Sequence, residues 1–459
     1  MADRKDRQKG FMMKKMRFLL TAFFACILLL TSCRTPDYPT ATPTEEMRPE
    51  GYVASELDVE LEKVGIMGYD PIKLTKIDLY YHLYYIDSTL PSRQELARGI
   101  RDFMNEYFAD VDENDTEAMT TAVIISYQQA AGDRYATYFD EEAYREQKTE
   151  QNAEFVGIGV YVSYSVHENT VQVLSVYEGT PAAEAGILPG DYITSVDGVG
   201  LGEISYYELV NRIRGEVDTD VTVGIKRDGK MKTLTMTRKK VESVSVTYRL
   251  LEDPTIGYVK IEQFNGKTAE QFKKAIDALL QEGVEGLVFD LRGNPGGEVN
   301  AIITVLDYLL PDGKTVARFR FDEDASNTPE IAYVAKDGYE LTLPMTVLCD
   351  QYTASAGELF TAALRDYEMA TVIGVTTYGK GTAQTLMDLR DGTAFTISTA
   401  RYEPPIGDNY EGIGIEPHIT VTLNEEAASV NAFLRDDAID NQLQTAIEEI
   451  NRLRAEALQ

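Results

Sequence analysis

The chain has 459 residues, of which 26% are charged and 44% hydrophobic, and its formal net charge is −31. This length predicts more than one domain, and the composition is typical of a soluble globular protein rather than a disordered or membrane-spanning one. The strong negative charge argues against nucleic acid as a partner, because the phosphate backbone would be repelled.

Residues 1–32 have the pattern of a targeting segment. Basic residues up to Arg17 precede the apolar run Phe18 to Leu30, which is too short to span a bilayer comfortably. The following Leu30-Thr31-Ser32-Cys33 resembles a bacterial lipobox, which implies cleavage before Cys33 and lipid attachment to it. A plain signal peptide or an uncleaved anchor is the alternative. We therefore expect an extracytoplasmic protein that is lipid-anchored to the bacterial cell membrane through Cys33.

Two regions of different character follow. Residues 33–61 begin with a stretch rich in Pro and Thr, which predicts a flexible tether. Residues 62–153 place apolar side chains three to four positions apart, which predicts a helical region that forms a cap or a homodimer contact. The break Gly132-Asp133-Arg134-Tyr135 ends one of these helices.

Residues 154–241 change to short alternating segments separated by turns, which predicts a small β domain. Its stretch Thr180 to Asp191 and the following Val196-Asp197-Gly198 resemble the signature of PDZ domains. That resemblance implies capture of a peptide's terminal carboxylate by backbone N–H groups of a loop, with the peptide added to the sheet edge. The loop and strand entry would be Val156, Gly157, Ile158, Gly159 and Val160; an ordinary glycine-rich strand entry is the alternative.

Residues 242–424 mix apolar strands with helical patterns, which predicts an α/β core. The run Val288 to Gly297 ends a buried strand in a glycine-rich turn. Such a turn can direct backbone N–H groups at an oxyanion. A simple strand-to-helix turn is the alternative, and a phosphate-binding loop is disfavoured because its Gly-Lys-Ser/Thr ending is missing.

The stretch Val347 to Gln384 carries the candidate chemistry. Ser355 follows a buried strand and lies at the predicted start of a helix, where unpaired N–H groups favour developing negative charge. Lys380 lies between Gly379 and Gly381 and is the only long side chain of that turn. A buried lysine can take the proton of a serine hydroxyl, so the two residues predict a nucleophile and its base.

This stretch closely resembles the catalytic segment of the carboxyl-terminal processing peptidases, also called tail-specific proteases. The resemblance implies a Ser355–Lys380 pair, with Gln384 orienting the lysine. It also places Gly296 and Gly297 at the active site, and we expect their N–H groups and that of Ala356 to form the oxyanion hole. The tract Gly132 to Tyr144 resembles the element that precedes the PDZ domain in this family, with Arg134 at a position where proline is usual.

Other chemistries have weaker support. The three histidines are scattered, and a Ser-His-Asp triad would need His418 beside Ser355. Asp366 lies on about the same helical face as Ser355 and is interpreted as structural support. Cys349 ends an apolar run and is interpreted as a packing residue. No ligand cluster is visible, so we expect no metal and no cofactor.

The sequence therefore predicts an α+β multidomain protein: N-terminal helices, a PDZ-like β domain, an α/β protease core and a C-terminal helical segment over residues 425–459. The predicted function is that of a serine-type endopeptidase that cleaves exported proteins near their carboxyl ends, with protein tails as partners of the PDZ-like domain. The alternatives are a non-catalytic lipoprotein scaffold that binds protein C-termini and a non-peptidase binder of apolar small molecules.

Overall fold

The computed structural model describes residues 54–87, 89–151, 153–165, 168–321 and 331–457. Along this part of the chain, N-terminal helices are followed by a small β domain, an α/β core and a C-terminal helix. The helices, the β domain and the α/β core each contain a cluster of buried apolar side chains. Within the described ranges, no helix combines the length and the apolar character needed to cross a bilayer.

The N-terminal region begins with capped helices. Its elements are α1 (Glu56–Lys63), α2 (Pro71–Tyr84), α3 (Arg93–Tyr107), α4 (Thr116–Ala130), β1 (Tyr138–Phe139) and α5 (Glu141–Gln151). Ser55 and Asp58 bind each other's backbone N–H groups in a capping box, which fixes the start of α1. Because α1 also buries Leu57 and Leu61, the last residues of the 33–61 range predicted as a tether are helical and packed.

The β domain is built on an open antiparallel sheet and a separate two-stranded pair. Its elements are β2 (Glu154–Gly157), β3 (Val160–Ser165), β4 (Thr170–Val176), α6 (Pro181–Glu184), β5 (Tyr192–Val196), β6 (Val199–Gly200), α7 (Tyr206–Ile213), β7 (Asp220–Arg227), β8 (Lys230–Thr237) and β9 (Lys239–Glu242). The strand order is β3-β4-β5-β7-β8, so β3 is an edge strand. Helix α7 buries Leu209 and Ile213 in the core of this domain.

The α/β core is built on a sheet that is buried on both faces. Its elements are β10 (Val246–Leu250), β11 (Ile256–Ile261), α8 (Thr268–Gln281), β12 (Gly286–Asp290), α9 (Val299–Asp307), β13 (Thr315–Arg320), β14 (Ile331–Val334), β15 (Met345–Cys349), α10 (Ala356–Asp366), β16 (Ala370–Gly374), β17 (Thr382–Asp388), β18 (Ala394–Glu403), β19 (Ile419–Thr420), α11 (Glu425–Ala428) and α12 (Asn441–Ala457).

The main sheet has the order β10-β11-β12-β15-β16-β19 and is parallel apart from the β10–β11 pair. Successive residues of one strand face opposite sides. Phe289 packs in the cluster that includes residues of α8, α9 and α10, whereas Val288 packs in the cluster that includes Ile450 of α12. The strands are therefore apolar runs without alternation, as is typical of sheets covered on both faces.

A second sheet joins the N-terminal region to the core. Its order is β1-β18-β13-β14, and β17 pairs with β18. Tyr138 of β1 pairs with Phe395 of β18, so the N-terminal region contributes a strand to this sheet. The loop that contains Lys380 connects β16 of the main sheet to β17 of the second sheet, and Ser355 follows β15. The predicted fold class, an α+β multidomain chain with a C-terminal helix, is confirmed.

Candidate active site

Ser355 lies at the start of α10 in a conformation that few non-glycine residues adopt. Its backbone angles are φ 55° and ψ −118°, which lie outside the broad favoured regions for residues with a Cβ. Such geometry costs on the order of 1–3 kcal/mol and persists only where the surroundings enforce it. The residue is fully buried, and its hydroxyl has no hydrogen-bond partner in the described structure.

Glu358 binds the segments on both sides of the site. Its carboxylate accepts hydrogen bonds from the N–H groups of Ser355 at 2.9 Å, Lys380 at 2.8 Å and Gly379 at 2.7 Å. The hydroxyl of Thr377 donates to it at 2.5 Å. One oxygen, Oε2, receives the N–H groups of both Ser355 and Lys380, so the predicted nucleophile and base are anchored to a single atom.

Burial raises the pKa of Glu358 to about 7, and the hydrogen bonds that it accepts act in the opposite direction. No sequence pattern singled out Glu358, although it lies three residues after Ser355, where capping carboxylates are common.

Lys380 is buried in the loop between the two sheets. Its side chain is 1% exposed, and its Nζ lies 5.0 Å from the centre of the Tyr135 ring. The hydroxyl of Tyr402 donates to the Lys380 carbonyl oxygen. Gly379 adopts φ 86°, and a methyl group there would lie 2.8 Å from the Gly414 nitrogen, so the turn requires glycine at this position.

Gln384 lies on β17 with its amide in a defined orientation. Its Nε2 donates to the carbonyl oxygen of Thr382 at 3.2 Å and to the hydroxyl of Ser398 at 3.1 Å. Its Oε1 is buried and has no hydrogen-bond partner in the described structure. The carbonyl end of this side chain is therefore an unused acceptor.

The glycine turn predicted to line an oxyanion hole lies directly against Ser355. A methyl group on Gly296 would lie 2.6 Å from Ser355 Cβ and 3.0 Å from the Ala356 nitrogen. The Gly296 N–H already donates to Asn294 Oδ1 at 2.8 Å. Ala356 is the first residue of α10, where backbone N–H groups have no partner within the helix. The N–H of Ala356 is therefore better placed to donate than that of Gly296, and Gly297 lies against the Phe264 backbone.

The residues predicted to capture a peptide tail lie on β2, in the loop that follows it and at the start of the edge strand β3. Val156 and Gly157 pair with β9, and Val160 begins β3. The carbonyl oxygens of Ile158 and Gly159 accept hydrogen bonds from the N–H groups of Ala182 and Tyr177. These five residues belong to the β domain, so they form a second site that is separate from the Ser355–Lys380 pair.

The remaining candidates do not join the Ser355 site. His418 Nδ1 accepts the N–H of Val372 at 3.0 Å, and Asp366 accepts the N–H of Ile406 at 3.1 Å. Cys349 is buried, and this burial raises the pKa of its thiol to about 12, as expected of a packing residue. Cys33 and His167 lie outside the described residues.

The chain therefore combines a small β domain with an α/β core in which a buried serine and a buried lysine bind the same carboxylate oxygen through their backbone N–H groups. Residues 255–421 match Peptidase family S41, and residues 156–237 match the PDZ domain. The carboxy-terminal-processing protease of Bartonella bacilliformis is 35% identical over 298 residues, which cover 63% of this chain and 66% of that protein. The chain thus spans just under two thirds of that relative's length.

Two further comparisons agree. The carboxy-terminal processing protease CtpA of Bacillus subtilis is 29% identical over 333 residues, which cover 72% of this chain and 70% of that protein. A solved structure from Bacteroides fragilis, assigned to the S41 proteases, shares the fold with a TM-score of 0.56 at 16% identity. It covers 82% of this chain and 97% of the other. This chain belongs to peptidase family S41 and carries a PDZ domain, and the predicted family is confirmed.

We expect Glu358→Gln to destabilise the protein, because the amide NH₂ group only donates, whereas each oxygen of Glu358 accepts two hydrogen bonds. Each buried donor left without an acceptor costs about 1–3 kcal/mol. The pKa of Glu358 is raised in the folded state, so its contribution to stability is fully present below its usual range near 4.5 and is lost as the pH rises through about 7. The difference from wild type should therefore be larger at pH 5 than at pH 8.

Urea unfolding followed by circular dichroism at both pH values measures this difference. Glu448→Gln, on the exposed side of α12, is the matched control and should change little. Equal stability of wild type and Glu358→Gln at pH 5 would contradict the anchoring role of Glu358.

Proposed function

We propose that this protein is a serine-type endopeptidase that cleaves exported proteins near their carboxyl ends. The observation that carries the proposal is that one buried carboxylate oxygen, Glu358 Oε2, binds the N–H groups of both Ser355 and Lys380. This contact anchors the backbone of both residues at one point, and both residues are buried. Membership of peptidase family S41 supports the same chemistry.

In the proposed reaction, Ser355 Oγ attacks the carbonyl carbon of the scissile peptide bond while Lys380 Nζ takes the hydroxyl proton. Burial supports this role, because a low-dielectric site disfavours the charged ammonium and keeps the amine available as a base. The proton then passes to the leaving amine as the peptide C–N bond breaks. Water, activated by the same amine, releases the acyl group from Ser355.

Two further groups support the transition state. The N–H groups of Ala356 and Gly297 would bind the oxyanion, each well-placed donor contributing roughly 3–4 kcal/mol. Gln384 Oε1, which has no partner in the described structure, would accept a hydrogen bond from Lys380 Nζ and hold the amine toward the serine.

The PDZ domain would recruit the substrate tail. Its edge strand β3 leaves one side of the sheet open to an added strand, and the loop at Ile158 and Gly159 precedes this strand. Near the far end of β3, the ring of Tyr164 stacks on the ring of Tyr206 of α7, with the ring centres 4.9 Å apart. Since Ser355 is fully buried in this arrangement, we propose that it is a resting state that tail binding helps to open.

We propose further that the mature chain is held at the outer face of the bacterial cell membrane by lipid on Cys33. The pattern Leu30 to Cys33 and the preceding basic and apolar residues support this. Such an anchor would restrict the enzyme to exported substrates.

Ser355→Ala and Lys380→Ala should each lower the cleavage rate of unfolded β-casein by on the order of 10⁴-fold, because the nucleophile or its base is removed. Lys336→Ala, an exposed lysine of the same core, is the control and should retain full activity. Gel analysis of cleavage, with and without a tail peptide, measures the rates. Full activity in Ser355→Ala would refute the proposal, and an inactive wild type that still binds tails would favour a scaffold.

A peptide with a free terminal carboxylate should bind more tightly, by about tenfold or more, than the same peptide with an amidated C-terminus. In the amidated peptide the loop N–H groups lose a charged acceptor. Titration calorimetry on the Ser355→Ala variant separates this binding from cleavage. Equal affinities for the two peptides would exclude carboxylate capture by the PDZ domain.

Cys33→Ser should move the protein from the membrane fraction to the soluble extracytoplasmic fraction of bacteria that express it, since the lipid-bearing thiol is absent. Fractionation followed by intact-mass measurement detects both the location and the lipid. An unchanged membrane fraction and an unchanged mass would show that Cys33 is not the anchor.

A further inference from the structure

The turn Gly132–Tyr135 follows helix α4. It lies next to the loop that contains Lys380, here called the lysine loop. Asp133 in this turn is 2% exposed. Its carboxylate accepts hydrogen bonds from the Ser398 N–H at 2.9 Å, the Ser398 hydroxyl at 2.7 Å and the Tyr81 hydroxyl at 3.2 Å. Ser398 lies on β18, so a residue of the N-terminal region is bound to a strand of the core.

The hydroxyl of Ser398 contacts both Asp133 and Gln384. The hydroxyl of Ser398 has one proton, and the Asp133 carboxylate takes it because an ionised carboxylate only accepts. The Ser398 oxygen is therefore left as an acceptor, and it receives Nε2 of Gln384 at 3.1 Å. This fixes which end of the Gln384 amide faces Ser398. The carbonyl end must face the other way, where Oε1 is buried without a partner.

The same turn holds the lysine loop from a second side. The hydroxyl of Tyr135 donates to Glu411 Oε1 at 2.6 Å, and Arg134 pairs with the same carboxylate. The other oxygen of Glu411 accepts the N–H of Gly381 at 2.7 Å. The Tyr135 ring lies 5.0 Å from Lys380 Nζ, so the turn also borders the lysine side chain.

We propose that Asp133 is a positioning residue of the active site, which acts through Ser398 to set the direction of the Gln384 amide. In this arrangement Gln384 presents an acceptor, not a second donor, to the amine of Lys380. The inference rests on the proposed Ser355–Lys380 mechanism and deepens it: the N-terminal helical region is part of the catalytic unit. Arg134 and Tyr135 hold the turn against the lysine loop through Glu411.

A double-mutant cycle between positions 133 and 384 tests the proposal. Asp133→Asn can present an NH₂ group to Ser398, which lets the hydroxyl donate to Gln384 and reverses its amide. We expect kcat to fall about 10- to 100-fold with little change in KM, and Gln384→Ala to lose a similar amount. Because both changes remove the same interaction, the double variant should be no worse than Gln384→Ala alone.

Losses in kcat that multiply in the double variant would overturn the proposal, since Asp133 would then act independently of Gln384. Asp110→Asn, an exposed aspartate of the same region, is the control and should leave kcat unchanged. Ser398→Ala provides a second variant if Asp133→Asn fails to fold, and its loss should likewise vanish in the Gln384→Ala background.

A readout without catalysis separates this inference from the proposed function. In protein labelled with ¹⁵N-glutamine, the side-chain amide signal of Gln384 is identified by its absence in Gln384→Ala. It should be protected from hydrogen exchange in the wild type and should shift and lose protection in Asp133→Asn. An unchanged amide signal would overturn the inference even in an active enzyme, and a changed signal would support it even if β-casein were not cleaved.

Discussion

The carboxylate of Glu358 connects two segments that are separate in sequence and belong to different sheets. It accepts N–H groups from the start of α10 and from the loop before β17, and it is fully buried. An uncompensated buried charge would be costly, but four donors from Ser355, Thr377, Gly379 and Lys380 surround this one. The unusual backbone angles of Ser355 persist because Glu358 and the Gly296 turn enclose it from both sides.

The site also depends on two glycines. Gly296 lies so close to Ser355 that a methyl group would collide with the Ser355 Cβ, and Gly379 allows the lysine loop to pass next to Gly414. These close backbone approaches bring the Gly296 turn, Ser355 and the loop that contains Lys380 together in the core. Substitutions at these glycines would act on this geometry rather than on the serine and lysine side chains.

The second sheet gives the N-terminal region a role beyond covering the core. Strand β1 pairs with β18, and the turn before it binds Ser398 and Glu411. The lysine loop is therefore held by helix α10 through Glu358, and it is linked to the N-terminal region through Glu411. The PDZ domain, in contrast, carries its candidate tail-binding loop on an independent sheet, which allows recognition and chemistry to occupy separate sites.

Much of the local structure follows from the sequence alone. The alternating segments of residues 154–241 predicted a β domain and the apolar runs of residues 242–424 predicted an α/β core, and the structure contains both, because burial on a sheet or helix face imposes a regular spacing. The serine, lysine and glutamine of the candidate site were recognisable because their neighbouring residues match one family. The roles of Asp133, Ser398, Glu358 and Glu411 were not, since their partners lie between 3 and 277 positions away and no periodicity encodes them. The sequence by itself determined the classes of element and the candidate reactive residues, whereas only the tertiary structure decided which polar groups surround them, because hydrogen-bond direction depends on contacts made after the sheets assemble.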